Sequence, residues 1–115
     1  MSYSLRSKHL ATIHKLRRLS DVLRQDGMPD TMDTNQWFYP KPEHEELSQW
    51  ERCPSCPAGW LEHLGLVDHA IKAECLPGLI HTKRSNYLFG IHGVLTREEV
   101  LRRIEHTIAE IEGEI

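Results

Sequence analysis

A stretch rich in cysteine, proline and glycine separates two segments with helical periodicity. It runs from Cys53 to Leu66 and contains two of the three cysteines, two of the six prolines and one of the three tryptophans. Proline and glycine interrupt regular structure. We therefore expect this stretch to form a tight bend that holds the two flanking helices together.

The first helical segment is predicted from Ser4 to Gln25. Apolar residues recur on one face of this segment at the spacing of an α-helix; they are Leu5, Ile13, Leu16, Leu19 and Leu23. Gly27 and Pro29 favour a helix end just beyond it. His9 falls on the apolar face, where a core position is more common than a ligand role.

The second long helix is predicted from Thr96 to Ile115. Thr96 followed by Glu99 is a capping box, which favours a helix start. The apolar stripe behind it consists of Val100, Leu101, Ile104, Ile108, Ile111 and Ile115. The two long helices predict a mostly α fold, with short helices and the cysteine–proline turn between them.

Several short elements are expected between the long helices. Pro57 suits the first turn of a helix that is capped by Cys56 and ends at Gly65. Gly59 inside that helix predicts close packing against another backbone or a tryptophan. Two further short helices are expected, over Glu43–Trp50 and over Leu66–Glu74. The second should face the core with Leu66, Val67, Ala70 and Ile71. An extended piece over Leu79–Lys83 and a helical turn over Ser85–Phe89, closed by Gly90, complete the predicted elements.

Length and composition predict one soluble domain over residues 1–115. The chain is 39% hydrophobic and 27% charged, which is typical of globular proteins. No apolar run approaches the roughly 20 residues that cross a bilayer. The N-terminus lacks the apolar core of a secretory signal. We therefore expect no membrane association and a cytoplasmic location, with reduced thiols.

Charge is distributed unevenly along the chain, although the net charge is only −3. The first helix is basic and the last helix is acidic, so the two are expected to lie close together and partly neutralise each other. An alternative is that the basic residues contact an acidic partner such as a phosphate backbone. The candidates for that nucleic-acid adaptor role are Lys15, Arg17, Arg18, Lys83 and Arg84.

Three adjacent aromatic residues form the candidate docking patch. Trp37, Phe38 and Tyr39 cannot all face one way, so at least one is expected to be partly exposed. Together with Arg17 and Arg18 they are the predicted partner-binding residues.

The spacing Cys53-x-x-Cys56 is compatible with zinc, which requires four ligands. Cys75 and His81 would complete the set, with His63 or His69 as alternatives to His81. The competing interpretation is that the cysteines are small buried residues in a turn. A redox dithiol fits less well, because Pro57 places the helix start after the second cysteine rather than the first.

Catalytic signatures are missing from the sequence. It contains no Gly-x-Ser-x-Gly, no His-Glu-x-x-His and no glycine-rich phosphate loop. The sequence therefore favours a binding protein without a cofactor over an enzyme, with a small zinc- or thiol-dependent protein as the remaining alternative.

The motif from Cys53 to Trp60 resembles one found in small proteins of bacteria and their phages, in which Ala-Gly and Trp or His follow two nearby cysteines. Asp33–Trp37, Leu88-Phe89-Gly90 and the final helix are similar to the segments that surround it. Pro54 stands where that motif would have glycine. The resemblance implies no reaction, but it implies a phage or mobile-element accessory protein. We therefore expect a protein-binding function, one version being inhibition of a host defence or regulatory complex.

Overall fold

Two long antiparallel helices, α1 (Ser2–Leu23) and α4 (Arg97–Glu114), form the main framework of the fold. In this computed structural model, residues 2–37, 54–80 and 82–114 are described, with side chains from Arg6 onward. The predicted mostly α fold is confirmed.

The apolar face of α1 is the face predicted from its periodicity. Ile13, Leu16, Leu19 and Leu23 are each at most 1% exposed, and Val22 at the margin of the face is also buried. The backbone leaves the helical direction at a glycine with positive φ (Gly27, φ +87°), a conformation that glycine adopts without steric cost.

Helix α4 begins where the capping box predicts. The backbone N–H of Glu99 donates to Oγ1 of Thr96 at 3.1 Å, which satisfies a donor that the helix itself leaves free. The buried face of α4 packs against α1 and consists of Val100, Ile104, Thr107, Ile108 and Ile111. The predicted stripe is therefore correct in its centre, whereas Leu101 is only half-buried.

Ion pairs between α1 and α4 confirm that the basic and acidic helices partly neutralise each other. Arg17 Nη2 lies 2.6 Å from Glu112 Oε2, and Arg24 pairs with Glu105. Residue numbers rise along α1 as they fall along α4, so the two helices run antiparallel. Both pairs are about half exposed, so each contributes only about 0–1 kcal/mol to stability.

The cysteine–proline stretch builds helix α2 (Pro57–His63). Cys56 is the N-cap residue, Pro57 occupies the first turn, and Gly65 follows with φ +74°. All three positions agree with the prediction. Ala58 and Leu61 of α2 are buried in the same core as the long helices.

A small antiparallel sheet was not predicted from the sequence. Strand β1 (Thr31–Asp33) pairs with β2 (Val94–Thr96), and Met32 stands opposite Leu95. Met32 is buried, so the strand pair connects the end of α1 to the start of α4.

The remaining short elements correct two predictions. The predicted helix over Leu66–Glu74 is instead a 3₁₀ helix over Ala70–Cys75, and Ile71 is exposed rather than inward. The predicted extended piece over Leu79–Lys83 is wrong, because the N–H groups of Leu79 and Ile80 both donate to the carbonyl of Leu76 and close a turn. Helix α3 (Lys83–Phe89) ends at Gly90, as predicted.

The predicted helix over Glu43–Trp50 lies outside the described residues. Within the described ranges, no helix combines the length and apolar character needed to cross a membrane.

Candidate functional site

Trp37 is the one predicted aromatic contact residue that lies within the described part of the chain. Its side chain is 40% exposed, whereas its backbone is fixed against α2. The carbonyl of Trp37 accepts a hydrogen bond from the N–H of Ser55 at 2.9 Å. The same carbonyl lies over Gly59, where any Cβ would overlap it. The close packing predicted at Gly59 is confirmed.

The turn that precedes Trp37 is held by Asp33 and Thr34. Asp33 accepts from the N–H of Asn35 at 3.0 Å and from the side-chain amide of Gln36 at 3.3 Å. Thr34 Oγ1 donates to the carbonyl of Gly93 at 2.7 Å and accepts from the N–H of His92 at 2.7 Å. Trp37 is therefore presented from a constrained turn rather than from a loose loop.

The indole of Trp37 also contacts the start of the 3₁₀ helix. Its ring meets that of His69 edge to face, with 5.3 Å between centroids. His69 is itself held, because its Nδ1 accepts from the N–H of Ile71 at 3.2 Å as the helix cap. The ring contact with His69 favours this orientation of the indole.

A groove of about 710 Å³ opens beside Trp37. We call it the Trp37 groove. Its lining comes from the turn after β1, the 3₁₀ helix and the end of α3; the residues are Thr34, Asn35, Gln36, Trp37, Glu74, Asn86, Phe89, Gly90 and Ile91. Phe89 is buried, whereas Ile91 is 76% exposed. A buried aromatic ring and two exposed apolar side chains thus share one concave surface.

The described lining of the Trp37 groove carries a net negative charge. Among its described lining residues, Glu74 is the charged one, and the polar remainder is mostly amides and hydroxyls. This chemistry suits a ligand with an apolar group and a cationic or hydrogen-bonding group, rather than an anion.

The other predicted contact residues divide into three groups. Arg17 is exposed but paired with Glu112, while Arg18 is exposed and has no ion pair with a described residue. Neither lines the Trp37 groove. Phe38 and Tyr39 lie outside the described residues, so their contact role stays a prediction.

The two described cysteines occupy different environments. Cys56 is buried, and this burial raises the pKa of its thiol despite opposing hydrogen bonds from the backbone of Gly59 and Ala58. A raised pKa disfavours the thiolate that a nucleophile or metal ligand requires. Cys75 is exposed.

The predicted zinc ligands are only partly described. Cys53 and His81 lie outside the described residues, so the set Cys53, Cys56, Cys75 and His81 stays a prediction. In the described part of the chain, no cluster of three or more His, Cys, Asp or Glu side chains is suited to hold a metal ion.

A second cavity, of about 580 Å³, lies where α1, the turn after the 3₁₀ helix, α3 and the end of α4 meet. His9, Cys75 and Arg84 are among its lining residues. Arg84 is only 15% exposed and is paired with Glu110 and Glu114. Because two carboxylates already neutralise this guanidinium, Arg84 is poorly placed to bind phosphate, contrary to its predicted role in a nucleic-acid adaptor.

The sequence named Trp37 as a candidate contact residue but gave no indication that Phe89 and Ile91 line the same groove. The available sequence signal was an isoleucine, Ile91, in a short stretch bounded by Gly90 and Gly93. No helical or strand periodicity there assigns its side chain to the core. Comparison of the chain with protein-family models, curated proteins and solved structures gave no match.

Proposed function

We propose that this protein binds another protein through the Trp37 groove. The observation that carries the proposal is an exposed tryptophan, held by its backbone and by His69, beside an exposed isoleucine and above a buried phenylalanine. Tryptophan is enriched among the residues that dominate binding energy at protein interfaces. A fixed side chain also loses less conformational freedom on binding than a mobile one.

The shape and charge of the groove favour a particular partner segment. A volume of about 710 Å³ can hold a few side chains, which suits a short segment rather than a flat surface. Glu74 at the edge favours lysine or arginine near the apolar anchor of that segment, because opposite charges steer and orient association. The proposed occupant is therefore a partner segment with an apolar side chain next to a basic one.

The resemblance to small phage and bacterial proteins gives this proposal a biological setting. A phage-encoded accessory protein that binds a host complex and inhibits it would need a compact recognition surface and no catalytic residues. The partner we expect is accordingly a host protein, and its identity must come from experiment.

The proposal is tested by capture from a host lysate followed by comparison of variants. The wild-type protein is used as bait, and the partner is identified by mass spectrometry and then purified. Trp37→Ala should weaken binding of that partner by at least about 30-fold, which corresponds to a contact worth about 2 kcal/mol. Ile91→Ala should also weaken it.

Leu10→Ala is the matched control for Trp37→Ala. Leu10 lies on α1 and is 39% exposed, nearly the same as Trp37, but it does not line the Trp37 groove. Its replacement should leave binding unchanged. If the Trp37 and Ile91 variants bind the partner as tightly as wild type, or if the Leu10 variant loses as much affinity, the groove is not the binding site.

A further inference from the structure

Basic side chains on α1 and just after its end fall into two groups. Arg17 and Arg24 are paired with carboxylates of α4. The side chains of Arg6, Lys8, Lys15 and Arg18 form no ion pair or hydrogen bond with the described residues. Arg6 lies elsewhere around the helix, and we call the other three residues the basic stripe.

The members of the basic stripe lie on one side of the helix. At about 100° per residue, Lys8, Lys15 and Arg18 fall within an arc of about 80°, and they span about 15 Å along the axis. Ala11 falls in the same arc and is exposed. Its small side chain allows a ligand to approach the helix closely.

The acidic residue of α1, Asp21, lies about 60° around the helix from Arg18 and one turn along it. Asp21 lines a cavity together with Arg17, Arg24 and Glu105, on the side of α1 that faces α4. Asp21 offsets part of the charge of Arg18, so the stripe carries three cations beside one described carboxylate of α1, although the whole chain carries a net charge of −3. Local charge, rather than net charge, determines what such a surface attracts at short range, because salt screens charges beyond about 10 Å.

We propose that the basic stripe binds the phosphate backbone of duplex nucleic acid. The stripe consists of cations separated by a small side chain, with no aromatic residue to stack on bases, so single strands offer it no additional contact. It also lacks the adjoining apolar side chains that insert into a membrane, since the exposed Leu10 lies about 120° around the helix. Charge alone suits phosphates that a duplex presents at regular intervals.

This residue set differs from the one that the sequence suggested. Arg17 and Arg84 are left out because carboxylates of α4 already neutralise them. Lys83 is left out because it lies on α3, and Lys8 is added. The stripe does not line the Trp37 groove, so binding at the two surfaces can be tested separately.

Fluorescence anisotropy with a labelled DNA duplex of about 20 base pairs tests the proposal. Non-specific binding of this kind has a dissociation constant of about 10⁻⁴ M or somewhat lower. The dissociation constant should rise as salt is added. A plot of its logarithm against the logarithm of salt concentration should have a slope of about 2.7, as expected for three phosphate contacts. The triple variant Lys8→Gln/Lys15→Gln/Arg18→Gln should lose at least about tenfold in affinity at low salt.

Two single variants with the same change in net charge provide the control. Arg18→Gln should weaken binding and lower the slope magnitude by about 0.9, whereas Arg17→Gln should change affinity by less than about twofold, because Glu112 already neutralises Arg17. Equal effects of the two variants would overturn the proposal. So would failure of the wild type to bind duplex at about 50 mM salt, or tighter binding to anionic phosphatidylglycerol vesicles than to duplex.

Discussion

Arg84 connects three parts of the fold through one guanidinium group. Its Nε donates to Glu110 at 3.2 Å, and its Nη1 donates to the carbonyl of Gly78 at 3.0 Å and to Glu114 at 3.0 Å. The hydrogen bonds from Arg84 lower the pKa of the Glu114 carboxyl. The start of α3 is thereby fastened to the end of α4.

Replacement of Glu114 should therefore destabilise the protein in a pH-dependent way. Because the pKa of Glu114 is lowered in the folded state, its stabilising effect is complete above the unfolded-state value of about 4.3 and is lost as the pH falls through the folded-state value. Glu114→Gln should be less stable than wild type at pH 7, and the difference should shrink as the pH falls below about 4.3 and through the lowered folded-state pKa. Urea unfolding across this range measures the difference.

The control is the same replacement in an Arg84→Met background. Without the guanidinium, Glu114→Gln should have little effect at any pH. A difference between wild type and Glu114→Gln that does not vary with pH, or that persists in the Arg84→Met background, would show that the ion pair is not its cause.

Short sequence patterns predicted the roles of individual residues at helix ends. They did not predict contacts between residues far apart in the chain. The caps at Thr96 and Cys56 were predictable because each depends on a few neighbouring residues. The exposure of Ile71 was mispredicted, because a 3₁₀ helix turns by a different angle per residue than the α-helix assumed. The choice of Glu112 as the partner of Arg17 depends on how α1 and α4 pack.

At the scale of elements, Gly59 determines how the turn that carries Trp37 packs on α2. A Cβ at this position would overlap the carbonyl of Trp37, which is backbone and cannot move aside as a flexible side chain can. The two segments can therefore approach each other only if residue 59 is glycine.

Gly59→Ala should lower the free energy of unfolding by about 1–3 kcal/mol, as overpacking typically does. Gly113→Ala is the matched control, because Gly113 lies in α4 with no atom near the position of its Cβ. That control should be neutral or slightly stabilising, since alanine favours helix by up to about 1 kcal/mol. Chemical denaturation measures both; equal effects would contradict the packing at Gly59.

The long helices were predictable from the sequence and the strands were not. Five or six apolar residues at helical spacing mark α1 and α4 without reference to the rest of the chain. Strands β1 and β2 have three residues each, too few to show alternation, and their pairing depends on the path of the chain between Asp33 and Val94. The turn near Leu79 was missed because a short apolar stretch does not distinguish a turn from a strand.

At the scale of the whole molecule, α1 and α4 provide the framework, and the Trp37 groove forms where short elements meet beside it. The sequence could indicate Trp37 as a contact residue. It could not place Phe89 and Ile91 near Trp37, because more than fifty positions separate them in the chain. The β1–β2 pairing and the hydrogen bonds of Thr34 to Gly93 and His92 bring the two segments together.

The central claim is that a protein partner occupies the Trp37 groove. Hydroxyl-radical footprinting of the protein, alone and with the partner that it captures, tests this claim most directly because it reports side-chain exposure without mutation. We predict that oxidation of Trp37 and Ile91 falls on binding while oxidation of Leu10 is unchanged. Unchanged oxidation of Trp37 and Ile91 in a saturated complex would contradict the account.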